Sequence, residues 1–596
     1  MKNVLTALLI FTSIMSFSQS YPLISNIPNR IVTSLNGKWN CIIDPYENGF
    51  YDYRYEESES GFGQNLKPKS KSDLIEFDFD KSDSLKVPSD WNSQRPELLY
   101  YESTVWYKKS FDYNLKPGKR LFVWFGGANY QTYVYLNGKK IGSHEGGFTP
   151  FNFEITNLVK EKGNFIIVKV DNKRKRDGVP TLNTDWWNYG GITRDVNLVE
   201  ENTNFIHDFS IHLKNGTSNT IEGWVKLDKK EAGQVIKLEI PELKVSLPLN
   251  TDTSGFVKFS LSTNPVLWSP ENPKLYNVNF IFNQQKLSDK IGFRSIETKG
   301  NEILLNGKSI FLKGVSIHEE IPMRISRANG PEDAKTLLGW AKELGCNYVR
   351  LAHYPHNEAM TRMADEMGLL VWSEIPVYWT IEWDNPKTYA LAEQQLTENI
   401  TRDKNRASII IWSIGNETPL SNDRLKFMGN LSKKVKELDN TRLVSAAMEI
   451  DRKNDTDYWV NDPLGNYLDV ISCNEYVGWY DGLPERAERI IWKTTYNKPF
   501  VFSEFGAEAP YGLHGDSLTR WTEEFQEYCY REQVKMLSKI PFLRGTSPWI
   551  LADFRSPRRL LPGVQDGWNK KGLISEQGKK KKAFFVMREW YKGLKY

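Results

Sequence analysis

The sequence predicts a multidomain protein made of two antiparallel β-sandwiches followed by a (β/α)8 TIM barrel. A chain of 596 residues is long enough to bury several hydrophobic cores. Up to about residue 296, short strand patterns of period two are separated by turn residues, and beyond it apolar runs alternate with helical segments. The predicted boundaries are residues 1–20 for a leader, 21–200 and 201–296 for the sandwiches, and 297–596 for the barrel.

Residues 1–20 have the layout of a secretory signal peptide. Lys2 precedes an apolar core, and small residues follow at Ser16, Ser18 and Ser20. The core is shorter than the roughly 20 apolar residues that cross a membrane, and no later stretch approaches that length. We therefore expect an exported protein, periplasmic or secreted, with no membrane span.

The segments predicted as sandwiches carry typical strand and turn signals. In the first, alternating strands such as residues 105–111 and 164–172 are accompanied by Asn-Gly turns at Asn36-Gly37 and Asn137-Gly138. Residues 201–296 continue this pattern over a shorter length, and a proline-rich turn separates the last two strands. An antiparallel sandwich followed by a smaller one of immunoglobulin type is the natural interpretation.

Eight apolar runs predict the strands of the barrel. Helical segments such as EDAKTLLGWAKELG and NEAMTRMADEMG lie between them. Eight strand-helix units within roughly 250 residues are typical of a (β/α)8 barrel, whose active-site residues project from the C-terminal ends of the strands. The runs occupy residues 309–319, 346–355, 369–376, 409–417, 443–449, 468–476, 499–506 and 546–554.

Composition argues against several kinds of partner and cofactor. The 78 lysines and arginines nearly balance 74 acidic residues, so the net charge of +4 gives no field that would attract nucleic acid. The four cysteines show no paired spacing of a zinc site or disulfide framework. His353 and His356 flank Pro355, which breaks a helix, and no acidic ligand follows at a useful distance. We expect no metal and no cofactor.

Polar residues that close the strand-like runs are the candidate site. Hydrolysis of a sugar acetal needs one protonated and one ionised carboxyl, and the runs end in a surplus of carboxylates. Glu417 follows Asn416 at the end of a run rich in Ile and Trp, surroundings that raise a carboxyl pKa and suit an acid. Glu504 precedes Phe505-Gly506, a tight turn that lets a ligand approach closely and suits a nucleophile.

These two segments, RDKNRASIIIWSIGNETP (402–419) and KPFVFSEFGAEAPYGLHG (498–515), resemble glycoside hydrolase family 2. The resemblance covers nearly all of the mature chain, including LNGKW, VPSDWN, EGGFTPFNFEIT and NYGGITRDV. It implies a jelly-roll sugar-binding domain, an immunoglobulin-like sandwich and a catalytic barrel. It also implies that Glu417 is the general acid/base and Glu504 the nucleophile of a retaining double displacement.

The resemblance further implies a set of sugar-binding residues. Asn416 would hold the sugar 2-hydroxyl in the transition state, while Arg350 and His353 would position the nucleophile's side of the sugar. Trp549, in the eighth run, belongs to the same predicted set.

Within the family, members that hydrolyse glucuronides resemble this chain best. GWNKKGLIS contains an Asn-x-Lys element, Asn569 and Lys571, whose amide and ammonium can bind a carboxylate with charge-assisted hydrogen bonds. Asp185 in DWWNYGGITR and three residues of NEYVGWY resemble further sugar contacts, the three being Asn474, Tyr476 and Tyr480.

The chain departs from such members at one position. They often carry an arginine four residues before the asparagine of the Asn-x-Lys element, and here that residue is Gln565. Three arginines lie nearby in DFRSPRR, namely Arg555, Arg558 and Arg559.

The expectation is therefore an exported, retaining exo-β-glucuronidase acting on terminal β-linked glucuronic acid in glycosides or oligosaccharides, with polysaccharide degradation as one setting. The alternatives are a β-galactosidase or β-galacturonidase of the same family, and a carbohydrate-binding protein without turnover. A panel of aryl glycosides separates the first two, and sugar-dependent thermal stabilisation without product would indicate the third. The sequence leaves a homo-oligomer open.

Overall fold

The computed structural model describes residues 22–594, so the predicted signal peptide lies outside the described residues. Within this range the chain forms the predicted architecture, two β-sandwiches followed by a (β/α)8 barrel. No helix in the described range is long and apolar enough to cross a membrane.

The first domain is a sandwich of two antiparallel sheets around a core that contains Trp39, Trp91 and Tyr107. One hairpin follows the expected chemistry, because Asn137 and Gly138 both adopt positive φ, as a two-residue hairpin turn requires. In sheet order, the strands are Ile31–Ser34, Val196–Asn202, Lys119–Phe125 and Phe151–Glu154, then Ser84–Val87, Gly37–Asp44, Thr104–Phe111, Asn164–Asp171, Gln131–Leu136 and Lys139–Glu145.

The Asn36-Gly37 turn has a different role from a hairpin. The strands before and after it lie in different sheets, so the chain crosses from one layer of the sandwich to the other. The Asn36 side chain secures this crossing, since its amide donates to Asp195 Oδ1 (2.9 Å) and its carbonyl oxygen accepts from the Val196 amide (3.0 Å). A local turn signal therefore marks a change of sheet.

The second domain packs a three-stranded sheet on a four-stranded sheet. Two of its strands, Val245–Asn250 and Gln285–Ile291, are the edges of the larger sheet and carry polar residues or proline. The remaining strands are Ile206–Leu213, Thr220–Leu227 and Phe256–Ser262 in one sheet and Val235–Ile240 and Tyr276–Phe282 in the other. A small sheet then leads into the barrel, with strands Ile296–Lys299, Glu302–Leu305 and Lys308–Ile310.

The barrel is a closed parallel sheet whose first strand is divided into two short pieces. One piece pairs with the last strand and the other with the second strand, which closes the ring. The eighth strand is Leu543–Thr546, so it precedes the predicted run of residues 546–554 and overlaps it only at Thr546. The strand ends there because Pro548 has no amide to continue the ladder. In chain order the strands are Leu312–Lys313 with Ser316–Ile317, Tyr348–Leu351, Leu370–Glu374, Ile409–Asn416, Leu443–Met448, Ile471–Asn474, Phe500–Glu504 and Leu543–Thr546.

Amphipathic helices surround the barrel strands. The first one begins at Pro331, a residue suited to an unsatisfied first turn, and ends at Leu344, where Gly345 caps it with φ of 95°. The α-helices are Pro331–Leu344, Glu358–Met367, Pro386–Asp403, Asn422–Leu438, Glu523–Leu537 and Lys582–Gly593.

A buried ion cluster joins the first sandwich to the barrel mouth. Glu319, two residues after the first barrel strand, is 1% exposed and accepts hydrogen bonds from Arg194 of the sandwich (3.0 Å) and from Arg327. Burial would raise the pKa of Glu319, but the two guanidinium groups outweigh it and lower that pKa to about 2. This cluster fixes the sandwich loops against the barrel mouth.

Removing the charge of Glu319 should destabilise the protein strongly. Glu319→Gln leaves two buried guanidinium groups without a counter-ion, so we expect a loss of about 3–5 kcal/mol in the free energy of unfolding. Urea denaturation of the variant and of the unchanged protein, followed by tryptophan fluorescence, measures this loss. Glu366→Gln is the matched control, because Glu366 is about half exposed in its 3.2 Å pair with Lys290 and should lose less than about 1 kcal/mol. Equal losses in both variants would contradict the prediction.

Candidate active site

The two carboxyls selected from the sequence both lie at the C-terminal mouth of the barrel. Glu504 is the last residue of the seventh strand, and Glu417 follows the last residue of the fourth. Glu417 has a left-handed backbone, with φ of 47°, and its amide donates to the carbonyl oxygen of Ala447 (2.9 Å). This bend lets the carboxyl leave the strand direction and face the mouth.

Two donors hold the carboxyl of Glu417. The indole N–H of Trp379 donates to Oε2 (2.8 Å), and the amide of Asn474 donates to Oε1 (2.8 Å). Burial, together with the nearby negative charge of Glu504, raises the pKa of Glu417 to about 7. A carboxyl with this pKa keeps its proton over much of the neutral range, as a general acid must.

Glu504 has a contrasting set of contacts. One carboxylate oxygen accepts from Arg350 Nη1 (2.7 Å), and the other accepts from the hydroxyl of Tyr476 (2.5 Å). His353 Nε2 lies 3.6 Å from the first of these oxygens. A cation and a hydroxyl donor are the partners that an ionised, nucleophilic carboxylate accepts.

Arg350 is the centre of a network at the base of the site. Its guanidinium is 0% exposed and also donates to Glu374 (3.0 Å) and to Asn416 Oδ1 (2.8 Å). Burial would raise the pKa of Glu374, but Arg350 and His353 outweigh it and lower that pKa to about 2. Glu374 is therefore an ionised counter-ion. It lies within the third predicted run, residues 369–376, and nothing in the sequence assigned it a role.

The two asparagines of the site orient each other. The side-chain amide of Asn474 donates to Asn416 Oδ1 (3.0 Å), and Asn474 Oδ1 accepts from the hydroxyl of Ser503 (2.8 Å). Arg350 and Asn474 thus both donate to Asn416 Oδ1, which fixes the orientation of this side chain. Its NH2 group makes no hydrogen bond to the residues between 22 and 594 and can serve a ligand hydroxyl.

Trp549 forms a wall of the site. Its ring stacks on His353, with centroids 4.7 Å apart and planes 27° from parallel, and it is buried. His353 in turn donates from Nδ1 to Glu374 Oε1 (2.9 Å). Trp549, which was predicted to bind the sugar, therefore contacts the site through His353.

The residues predicted to recognise a carboxylate form a neighbouring cluster. Lys571 Nζ donates to the Tyr480 hydroxyl (2.8 Å) and to Glu508 Oε1 (2.8 Å). Asn569 donates to Asp185 Oδ2 (3.3 Å), and its carbonyl oxygen accepts from the Lys571 amide (3.1 Å). Asp185 comes from the first sandwich, so the cluster contains residues of two domains.

The two clusters adjoin each other through a pair of tyrosines. The rings of Tyr476, which contacts Glu504, and Tyr480, which contacts Lys571, lie edge to face with centroids 5.4 Å apart. The Lys571 ammonium lies 5.4 Å from the centroid of the Tyr476 ring. All the predicted site residues are thus brought together at one mouth of the barrel.

Sequence analysis missed Glu508, which supports Lys571. Its carboxylate accepts from Lys571 and from Gln565 Nε2 (2.8 Å). Burial would raise the pKa of Glu508, but Lys571 and Arg559 outweigh it and lower that pKa. Its position four residues after Glu504, on the same loop, was the available signal.

Comparison with known proteins agrees with this geometry. Models of glycosyl hydrolases family 2 match the sugar-binding domain at residues 32–202, the middle domain at 194–294 and the TIM barrel domain at 296–596. The chain belongs to glycosyl hydrolase family 2. Its three domains and the position of its candidate site at the barrel mouth are those of a glycoside hydrolase.

Individual relatives of this family 2 chain are named for uronic acid substrates. The β-glucuronidase of Paenibacillus borealis is 26% identical and covers 85% of this chain and 90% of its own. The structure of a β-glucuronidase from an uncultured Clostridium sp. is 26% identical, with a TM-score of 0.81 over 96% of this chain and all of the other. A β-galacturonidase from Eisenbergiella tayi, bound to galacturonate, is 25% identical, with a TM-score of 0.77 over 95% of this chain and 98% of that one.

The pKa of Glu417 predicts where the activity of this family 2 enzyme falls on the alkaline side of its pH profile. Only the protonated acid can donate, so kcat/KM should fall as pH rises through about 7. Trp379→Phe removes an N–H that stabilises the ionised form, which should raise the pKa of Glu417 and move this limb up by roughly half to one pH unit. The pH profile of aryl glycoside hydrolysis measures the shift.

Trp383→Phe is the control for this prediction. Trp383 lies on the same loop, and within residues 22–594 it makes no hydrogen bond to Glu417. Its profile should match that of the unchanged protein. A limb that stays in place or moves to lower pH in Trp379→Phe would argue against Glu417 as the acid.

Proposed function

We propose that the protein is an exported, retaining exo-β-glucuronidase that releases terminal β-linked glucuronic acid from glycosides or oligosaccharides, with polysaccharide degradation as one setting. The observation that carries this proposal is the position of Lys571 and Asn569 beside the Glu417 and Glu504 pair. Export rests on the leader-like residues 1–20.

The proposed reaction has two displacements. In the first, Glu417 gives its proton to the glycosidic oxygen while the Glu504 carboxylate attacks the anomeric carbon, which releases the aglycone and leaves a glycosyl ester on Glu504. In the second, Glu417, now ionised, takes a proton from water, which attacks the anomeric carbon and displaces Glu504. The pKa of Glu417 near 7 suits both steps, since it must give and take a proton.

The surrounding residues have assigned roles in this reaction. Arg350 and Tyr476 hold Glu504 at two oxygens, which orients it towards the anomeric carbon. Asn416 would donate to the sugar 2-hydroxyl, in an interaction that strengthens in the transition state. Recognition of the sugar acid falls to Lys571 and Asn569, whose donors can form charge-assisted hydrogen bonds with its carboxylate.

A β-galacturonidase is the second candidate. Galacturonic acid carries the same carboxylate as glucuronic acid, and the Eisenbergiella tayi structure named for this activity is similar over nearly the whole chain. A β-galactosidase is less well supported, because galactosides bring no carboxylate to a site that contains Lys571. A binding protein without turnover is also less well supported, because both carboxyls are present in suitable surroundings.

Replacing the nucleophile should abolish hydrolysis. Glu504→Gln is expected to reduce kcat on 4-nitrophenyl β-D-glucuronide by more than about a thousandfold, because an amide cannot form the glycosyl ester. Proton NMR of the unchanged enzyme should detect the β-anomer of the sugar as the first product. Undiminished turnover in Glu504→Gln, or an α-anomer as first product, would refute this mechanism.

Replacing Lys571 should affect acidic sugars selectively. Lys571→Met retains bulk but loses the ammonium, so kcat/KM should fall by roughly 30-fold or more on an aryl β-glucuronide and little on an aryl β-galactoside. A panel that also contains the β-galacturonide identifies the sugar. Because misfolding would reduce all activities together, equal losses on charged and neutral glycosides would count against the role of Lys571 in binding a carboxylate.

A further inference from the structure

The carboxylate-binding cluster contains a second cation, Arg559, that sequence analysis left without a role. We propose that Arg559 binds the carboxylate of the substrate together with Lys571, since both cations donate to the same tyrosine hydroxyl. The inference rests on the proposed function, because it concerns how a uronic acid is recognised.

A closed loop brings Arg559 to the site. The short strands Phe554–Arg555 and Trp568–Asn569 pair in antiparallel fashion, so the residues between them form a loop that returns beside Asn569. The Gly567 amide donates to the Arg559 carbonyl oxygen (2.7 Å), which ties the residue to the returning strand. Arg559 therefore lies near Asn569 although the two are ten positions apart.

Arg559 and Lys571 converge on one oxygen atom. Arg559 Nη1 donates to the Tyr480 hydroxyl at 3.1 Å, and Lys571 Nζ donates to the same hydroxyl at 2.8 Å. Tyr480 is 58% exposed, so this meeting point lies at the open side of the cluster. An oxygen of a bound carboxylate that lies close to this point can accept from both cations.

Both cations keep unused donors for such a ligand. Arg559 uses Nε and Nη2 on Asp185 and one Nη1 hydrogen on Tyr480, which accounts for three of the five N–H donors of a guanidinium. Lys571 uses two of its three on Tyr480 and Glu508. Two donors of Arg559 and one of Lys571 remain.

The charges of the cluster show why one cation is insufficient. Asp185 and Glu508 are balanced by Arg559 and Lys571, so the four side chains sum to zero. Without Arg559 the cluster would be negative before any substrate arrived and would repel a uronate carboxylate. Arg559 thus makes the site tolerant of an anionic sugar.

Gln565 supports the cluster without adding a cation to it. Its amide donates to Glu508 Oε2, on the side of this carboxylate opposite to Lys571. It therefore orients Glu508 and contributes no charge.

Binding to the inactive Glu504→Gln protein tests the inference. The ligands are 4-nitrophenyl β-D-glucuronide and its uncharged methyl ester, and calorimetry gives the ratio of their Kd values. Arg559→Gln should weaken binding of the acid by about tenfold to a hundredfold and change binding of the ester less than about threefold. Adding Gln565→Arg should return a cation and recover part of the preference for the acid. A merely structural role would weaken both ligands alike.

Two outcomes distinguish the inference from the function on which it rests. If Glu504→Gln alone binds the acid no better than the ester, recognition of a uronic acid fails, and the inference fails with it. If that preference is present and Arg559→Gln retains it within twofold, only the role of Arg559 is overturned. Thermal melting confirms that each variant is folded before binding is compared.

Discussion

The buried guanidinium of Arg350 is the contact on which the active site depends. It lies on the second barrel strand and contacts Glu374 of the third, Asn416 of the fourth and Glu504 of the seventh. A guanidinium without exposure is costly to desolvate unless its hydrogen bonds are satisfied, so these four side chains can hold this arrangement only together. The nucleophile candidate is therefore positioned by the same interaction that makes a buried cation tolerable.

The sequence predicted the fold well because the fold depends on local periodicity. Strand runs that end in polar residues located the barrel mouth, and the resemblance to family 2 located Glu417 and Glu504 within it. Which carboxyls are candidates for catalysis and which serve as counter-ions depends on contacts between distant segments. Glu374 also ends a buried strand, yet Arg350 and His353 keep it ionised as a counter-ion, and only the folded structure brings them together.

Residues that sequence reasoning missed act through long-range pairing. Glu508 and Arg559 have ordinary neighbours in the chain, and their roles come from Lys571 and from Asp185 of the first sandwich. The Asn36-Gly37 turn shows the same dependence. The local sequence predicts the turn, but whether the turn forms a hairpin or crosses between sheets depends on which sheet each flanking strand joins. In each case the deciding partner is more than 40 residues away, beyond the reach of any local pattern.

The site combines two charge clusters with opposite demands. Around the proposed reacting carbon, Glu417 would exchange a proton. Burial and the nearby negative charge of Glu504 raise its pKa to about 7, and its two hydrogen-bond donors are neutral groups that offset this only in part. Around the proposed carboxylate position, Asp185 is paired with Arg559 and Glu508 with Lys571, which keeps the sum of their charges at zero. If the cations lay next to Glu417, they would lower its pKa and remove the acid. The Tyr476 and Tyr480 rings lie between the clusters. In the proposed reaction, this spacing would let an anionic sugar bind without its counter-cations disabling the proton donor.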